Sequence, residues 1–322
     1  MKHPLLRLAV AAALALPWLG GAAKAQDFPS RPITIVVGLA PGGITDVTAR
    51  LFADVVSRNI GQRVLVENRQ GAGGALAAAA VQKAAPDGYT VLIFSGSQHA
   101  TVPALQAAPY DPVKYAPVTL LFDIATFLVV PDMVPARTVA ELMAYGKSKQ
   151  GGLLFGSPGV GTPSHLQAVL ISRATGTPMQ YVHYRGGGAM APDLVAGRVD
   201  FALSSYTASG SQIEAGKLRA LAIDADKRWP KMPNVPTLAE AGLGDAKVAA
   251  WFALAAPPGT PPAIVQKLHA EFVKASQDPV LVQRLTDNAT PIRTTTPDEM
   301  ARLLAAEVEN TGKLVRELGL KQ

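Results

Sequence analysis

Two glycine-bearing bends in this chain have the composition to hold an anion. The first is Ala40-Pro41-Gly42-Gly43-Ile44-Thr45-Asp46, between the β-branched run Ile33–Val37 and a stretch with Ile44, Leu51, Phe52, Val55 and Val56 at helical spacing. Paired glycines let a backbone approach a ligand closely. A helix N-terminus offers free N–H groups and a partial positive charge, which suits a carboxylate. Asp46 falls in the first helical turn, where it can cap the helix or brace the bend by accepting backbone N–H bonds. The second bend is Gly159-Val160-Gly161-Thr162-Pro163-Ser164-His165, again between an apolar run, Leu153–Phe155, and a helical stretch, Ser164–Ala174. Thr162 and Ser164 add hydroxyls that can donate to an anion. His165, in a helix's first turn, can serve as a structural hydrogen-bonder or as a base.

Other polar groups follow other apolar runs. Ser97 lies in Ser95-Gly96-Ser97-Gln98-His99, Arg185 and Gly186 in Tyr184-Arg185-Gly186-Gly187-Gly188, and Ser204 in Ser204-Ser205-Tyr206. Arg185 can clamp a ligand's second carboxylate with two parallel bonds, or stand solvated beside a flexible glycine run.

The residue inventory also excludes chemistry. There is no cysteine, and the five histidines include no H-x-x-x-H pair, so neither a metal nor another cofactor is expected. Neither bend carries the lysine of a nucleotide-phosphate loop, and Gly71-Ala72-Gly73-Gly74-Ala75-Leu76 lacks the third glycine of a dinucleotide loop, so it reads as close helix–strand packing. An exported hydrolase or transferase on a bilobal scaffold is the alternative reading. It lacks a nucleophile–base motif, since Ser95, Ser97, Ser157 and Ser164 all lie outside G-x-S-x-G.

These segments need elements to hold them. Ile33–Val37, Val64–Glu67 and Thr90–Phe94 read as strands separated by helices over 44–60 and Gly74–Ala84, the pattern of a parallel sheet. A proline-rich loop is expected over Pro103–Pro117. Val118–Phe122 and Phe127–Val130 then follow without a helix between them. The alternation resumes with a capping box at Thr138 and Glu141, strands at Leu153–Phe155, Met179–Val182, Val199–Leu203 and Leu218–Ile223, and helices between them. After a strand at Val248–Ala255 come helices, the last opened by a second capping box at Thr296 and Glu299 and running to about Leu318.

Residues 1–25 read as a secretory signal: Lys2 and Arg7, an apolar run from Leu8 to Leu19, and Ala23-Lys24-Ala25 before a cleavage point. The run is shorter than the about 20 residues that span a bilayer. The 322-residue chain has 30 basic and 24 acidic residues, and losing Lys2, Arg7 and Lys24 leaves a mild +3. Scattered cations of this kind do not make a nucleic-acid footprint.

One series of segments is distinctive. It comprises Arg31-Pro32-Ile33, Pro41-Gly42-Gly43-x-x-Asp46, Val66-Glu67-Asn68-Arg69-x-Gly71-Ala72-Gly73-Gly74, Ala85-Pro86-Asp87-Gly88-Tyr89-Thr90, Ser164-His165-Leu166, Gly216-Lys217-Leu218-Arg219-Ala220-Leu221-Ala222 and Val235-Pro236-Thr237-x-x-Glu240-Ala241-Gly242. With these the chain resembles the Bug family of extracytoplasmic receptors, the substrate-binding proteins of tripartite tricarboxylate transporters.

The resemblance implies a two-lobed α/β fold of the type II periplasmic-binding-protein class, each lobe a mainly parallel sheet flanked by helices. Residues 26–123 with 249–322 would form the first lobe and 124–248 the second, with crossovers near Leu120–Ala125 and Val248–Leu254. It implies a monomer that closes like a flytrap on a small carboxylate, held by amides and hydroxyls of the two bends, and that docks to membrane transporter subunits or a sensor protein. The chain departs from the family at Gly38 and Leu39, where Pro and Phe are usual, at the bulkier Ile44, at Ala202 and Leu203, and at Arg185, where Lys is commoner.

Overall fold

A computed structural model describes residues 28–71, 74–105, 107–248, 250–317 and 319; the expected signal at 1–25 lies outside them. The first sheet starts with β1 (Ile33–Val37), whose side chains are almost all buried because helices cover both faces. Helix α1 (Ile44–Ile60) follows and ends where Gly61 adopts φ 67° and its N–H bonds Ser57 O, a left-handed stop that favours glycine. Next come β2 (Val64–Asn68), α2 (Ala75–Gln82) and β3 (Thr90–Ser95).

The loop expected from Pro103 does not begin there. Ser97–Thr101 forms a π-helical turn that runs into one α-helical turn, Val102–Leu105. His99, Ala100 and Val102 are buried there, and this tertiary burial outweighs the loop signal of Gly96 and Pro103. Strand β4 (Ala116–Asp123) completes this half.

The second half holds β5 (Thr126–Pro131), α3 (Val139–Ser148), β6 (Leu153–Ser157), α4 (Pro163–Thr175), β7 (Met179–His183), α5 (Gly187–Val195), β8 (Phe201–Ser205), α6 (Tyr206–Glu214) and β9 (Leu218–Asp224). At the expected capping box Thr138 Oγ1 accepts the Glu141 N–H, but Glu141 reaches back to the Arg137 amide, one residue earlier than a regular box. Strand β10 (Trp251–Ala256) precedes α7 (Pro262–Ala275), α8 (Pro279–Thr286) and α9 (Pro297–Glu317). Helix α8 was not anticipated, although Asp278 accepts the Val280 and Leu281 amides ahead of Pro279, an N-cap followed by proline at the first position.

The two sheets repeat one layout. Their orders are β2-β1-β3-β10-β4 and β7-β6-β8-β5-β9. In each, three strands are parallel and the fourth runs antiparallel to both of its neighbours. That fourth strand, β10 or β5, is the one the chain makes just after leaving the other sheet. Leu120–Asp123 belongs to β4 and Trp251–Leu254 to β10, so the passages are Ile124–Ala125 and the segment between Asp224 and Trp251.

A third segment joins them: Ile124 N–H bonds Ala250 O, and Ala125 N–H bonds Ala289 O. The tail thus touches both halves, since Trp229 Nε1 also donates to Thr286 O. Helices α1, α7 and α8 cover one face of the first sheet, with Phe52 and Phe272 stacked at 6.1 Å. Helices α2 and α9 cover the other through Ala75, Ala78, Met300 and Leu304.

Candidate functional site

The carboxyl edges of the two sheets meet. Ser97, two residues past β3, donates its hydroxyl to Gly161 O, four residues past β6, at 3.0 Å. A Cβ on Gly161 would lie 2.6 Å from Leu105 Cδ1 and 3.1 Å from Thr101 Cγ2. The helical turns after β3 therefore pack directly on the second bend. Beside this contact a crevice of about 150 Å³ is lined by Ser97, Thr101, Pro163, Leu166, Lys247 and Glu307, among others.

The first bend is braced from within. Asp46 is buried and accepts the Gly42 N–H at 2.9 Å and Arg50 Nε at 3.1 Å. Arg50 also donates to Asn68 Oδ1, and Asn68 Nδ2 donates to Leu39 O, each at 3.1 Å. Burial works to raise the Asp46 pKa, but the bonds from Arg50 and the Gly42 amide outweigh it and hold the carboxyl below its ordinary range. Of the two roles open to Asp46, the geometry shows the brace. It occupies the Gly42 amide, which is then not a ligand donor.

The amides of Ile44, Thr45 and Asp46, at the start of α1, have no acceptor among the described residues. The Thr45 hydroxyl is buried without a partner. Leu39 to Gly43 is exposed and Ile44 half-buried. Gly42 needs its φ of 78°, whereas Gly43 (φ −73°) sits in a region open to any residue.

The second bend is closed on itself to a degree the sequence did not reveal. Ser157 Oγ accepts the Gly159 N–H and donates to Gly159 O. Thr162 Oγ1 donates to that same carbonyl at 2.8 Å and accepts the His165 N–H at 3.3 Å. The Thr162 hydroxyl is a helix cap tied into the loop, where an anion donor was expected. Ser164 is buried, and its amide has no acceptor among the described residues.

His165 Nδ1 accepts the Gly161 N–H at 3.1 Å, so its proton sits on Nε2. Its ring packs edge-on against His183, 4.8 Å away, and Tyr181. Burial first, and then the neighbouring His183, push its pKa down to about 4. It is a neutral loop-holder at neutral pH.

The unfolded chain takes up the proton near 6.5 and the folded chain near 4, so stability is level above about pH 6.5 and falls as the pH drops toward about 4. The loss from this residue amounts to about 3 kcal/mol. Thermal unfolding from pH 7 to pH 4 should show His165→Gln flattening that slope. His99 and His183, both also lowered by burial, add to the slope in the same direction.

The loop after β7 flanks the second bend, since Tyr184 N–H bonds Ser157 O at 2.8 Å and Gly186 N–H bonds Pro158 O at 2.9 Å. Arg185 between them is exposed, and it has no ion pair or hydrogen bond among the described residues. It is the one cation on the connections leaving β6, β7 and β8. Ser204 is buried within β8, opposite Phe127. Thr101, Leu105 and Gln98, absent from the expected site, line the edge contact or lie beneath it. A polar Gln98 next to the apolar-face residues Ala100 and Val102 was the signal available for it. Among the described residues no serine or threonine hydroxyl is bonded to a histidine ring, and no group of three metal-ligating side chains occurs. No helix among them is long and apolar enough to cross a membrane.

A family model described as the tripartite tricarboxylate transporter family receptor matches residues 48–320. Three solved structures are similar over nearly the whole chain. The periplasmic binding protein BugD is 30% identical, covering 91% of this chain and 99% of its own, with a TM-score of 0.83. A protein of R. palustris solved with adipate is 34% identical, covering 91% and 99%, with a TM-score of 0.85. MatC from Rhodopseudomonas palustris, with bound malate, is 34% identical, covering 89% and 100%, with a TM-score of 0.80.

Proposed function

Since the chain belongs to the tripartite tricarboxylate transporter receptor family, we propose that it captures a small carboxylate-bearing molecule between its lobes for a transporter or a sensing pathway. Its fold is the two-lobed periplasmic-binding-protein fold. Family and neighbours are solute-binding receptors. In this reading the chain is exported, its signal is cleaved after Ala25, and it works as a monomer in the periplasm.

One observation carries the reading. The carboxyl edges of both sheets meet through Ser97 and Gly161, and each edge ends in a glycine bend that leads into a helix N-terminus. Open amides at Ile44, Thr45 and Asp46 on one side and at Ser164 on the other are suited to one carboxylate. Arg185, unpaired at the rim, suits a second. A ligand that bonds both lobes stabilises the closed arrangement by its differential affinity, and a partner reads that arrangement.

A thermal-shift screen tests this. The panel comprises adipate, malate, citrate, glutamate and benzoate, with neutral sugars as controls. An acid present at 100 times its Kd adds about 2.7 kcal/mol to stability. At least one acid should raise Tm by several degrees while the sugars leave it unchanged. A flat response to every acid, or a shift confined to the sugars, counts against the reading.

A further inference from the structure

Gln98 is buried, and its amide ties its own turn to the start of α2 and lies against Gly38, just ahead of the first bend. Oε1 accepts the Ser95 N–H at 3.1 Å, and Nε2 donates to Gly74 O at 3.1 Å. A backbone donor on one side and a carbonyl on the other leave only one orientation for the amide. A Cβ on Gly38 would stand 2.9 Å from Nε2, and one on Gly74 2.2 Å. Gly38 opens the first bend and Gly74 opens α2, so the amide sits where both approach. The Tyr110 hydroxyl bonds the Gln98 carbonyl from below.

The preceding residue in the chain is Ser97, which makes the bond across to Gly161. Both belong to the π-helical turn Ser97–Thr101, a wide turn that recurs at functional sites.

We propose that Gln98 is a positioning residue for ligand capture: it locks the first bend, the start of α2 and Ser97 into one unit set against the second bend. It does not touch the ligand. It acts through the segments it ties, and its role in binding rests on the reading of the two bends as the anion site.

Three variants test it. Gln98→Leu keeps much of the bulk and removes the amide's bonds to Ser95 and Gly74. Gln98→Glu keeps the acceptor for Ser95 and removes the donor to Gly74, and it carries the test should the leucine variant fail to fold. Tyr115→Phe is the control. It deletes a buried bond, from the Tyr115 hydroxyl to Ala78 O at 2.6 Å, that does not tie the bends.

Hydrogen exchange on the ligand-free proteins should show amides in 39–46 and 159–162 exchanging at least tenfold faster in Gln98→Leu than in the unaltered chain or in Tyr115→Phe. Calorimetric titration with adipate and malate should show binding at least tenfold weaker in Gln98→Leu and within twofold in Tyr115→Phe. Unchanged exchange at both segments overturns the proposal, as does Gln98→Leu binding within twofold of the unaltered chain. Should neither acid bind the unaltered protein, those acids are removed as ligands, and exchange alone still decides the role of Gln98.

Discussion

Asp46→Ala lowers the affinity for the best acid of the panel by at least 100-fold, as read by calorimetric titration. Asp46 is the only acceptor for the Gly42 amide among the described residues, and it also orients Arg50, which in turn holds Asn68 against Leu39. Removing it frees the bend from three sides at once. Hydrogen bonds to charged groups contribute about 1.5–3 kcal/mol each, and 100-fold in affinity is about 2.7 kcal/mol, so one or two lost braces suffice.

Asp46→Asn separates the brace from the charge. An asparagine oxygen still accepts the Gly42 N–H, while Arg50, half exposed, tolerates solvation. This variant should keep affinity within about tenfold. Because the Asp46 pKa lies below its ordinary value, the brace is intact at all pH values above the ordinary carboxylate range and fails only as pH falls through the lowered pKa. Asp46→Ala that binds like the unaltered protein would remove the first bend from the site.

Arg185→Gln is expected to weaken a dicarboxylate by 30-fold or more and a monocarboxylate hardly at all. A bidentate guanidinium–carboxylate pair contributes about 2 kcal/mol when partly shielded from water, and Arg185 is not committed to any partner among the described residues. Arg185→Lys keeps the charge without the fork and should fall between. The loss should shrink as salt rises, because the rim is exposed. Equal weakening of mono- and dicarboxylates would mean that Arg185 steers anions in general and pairs with no second group.

Much of this molecule could be read from its residues, and the failures have identifiable causes. Continuous β-branched runs such as Ile33–Val37 are strands because both faces are covered, and the two bends lie at strand ends where turn chemistry demands glycine. The run Val248–Ala255 is equally apolar whichever sheet receives it; its pairing with β3 and β4 puts it in the first. Pro103–Leu105 reads as the start of a proline-rich loop, yet packing of His99, Ala100 and Val102 winds Ser97–Leu105 into helix. Thr162 carries the same hydroxyl whether it caps a helix or binds an anion. The choice depends on Gly159 O lying within reach, which no spacing in the sequence announces.

The interleaving of the sheets has a kinetic consequence. The second sheet is made of consecutive strands, β5 to β9, but the first is not: β10 must insert between β3 and β4 long after both have been synthesised. Until it arrives, β3 and β4 expose unpaired edges, the surface through which chains stick to one another. Contacts so distant in sequence close slowly. It makes the last 72 residues, on the order of one small domain, the point of commitment for the first sheet. Truncation before Trp251 should leave the first sheet open between β3 and β4 and prone to aggregate, while all strands of the second sheet remain.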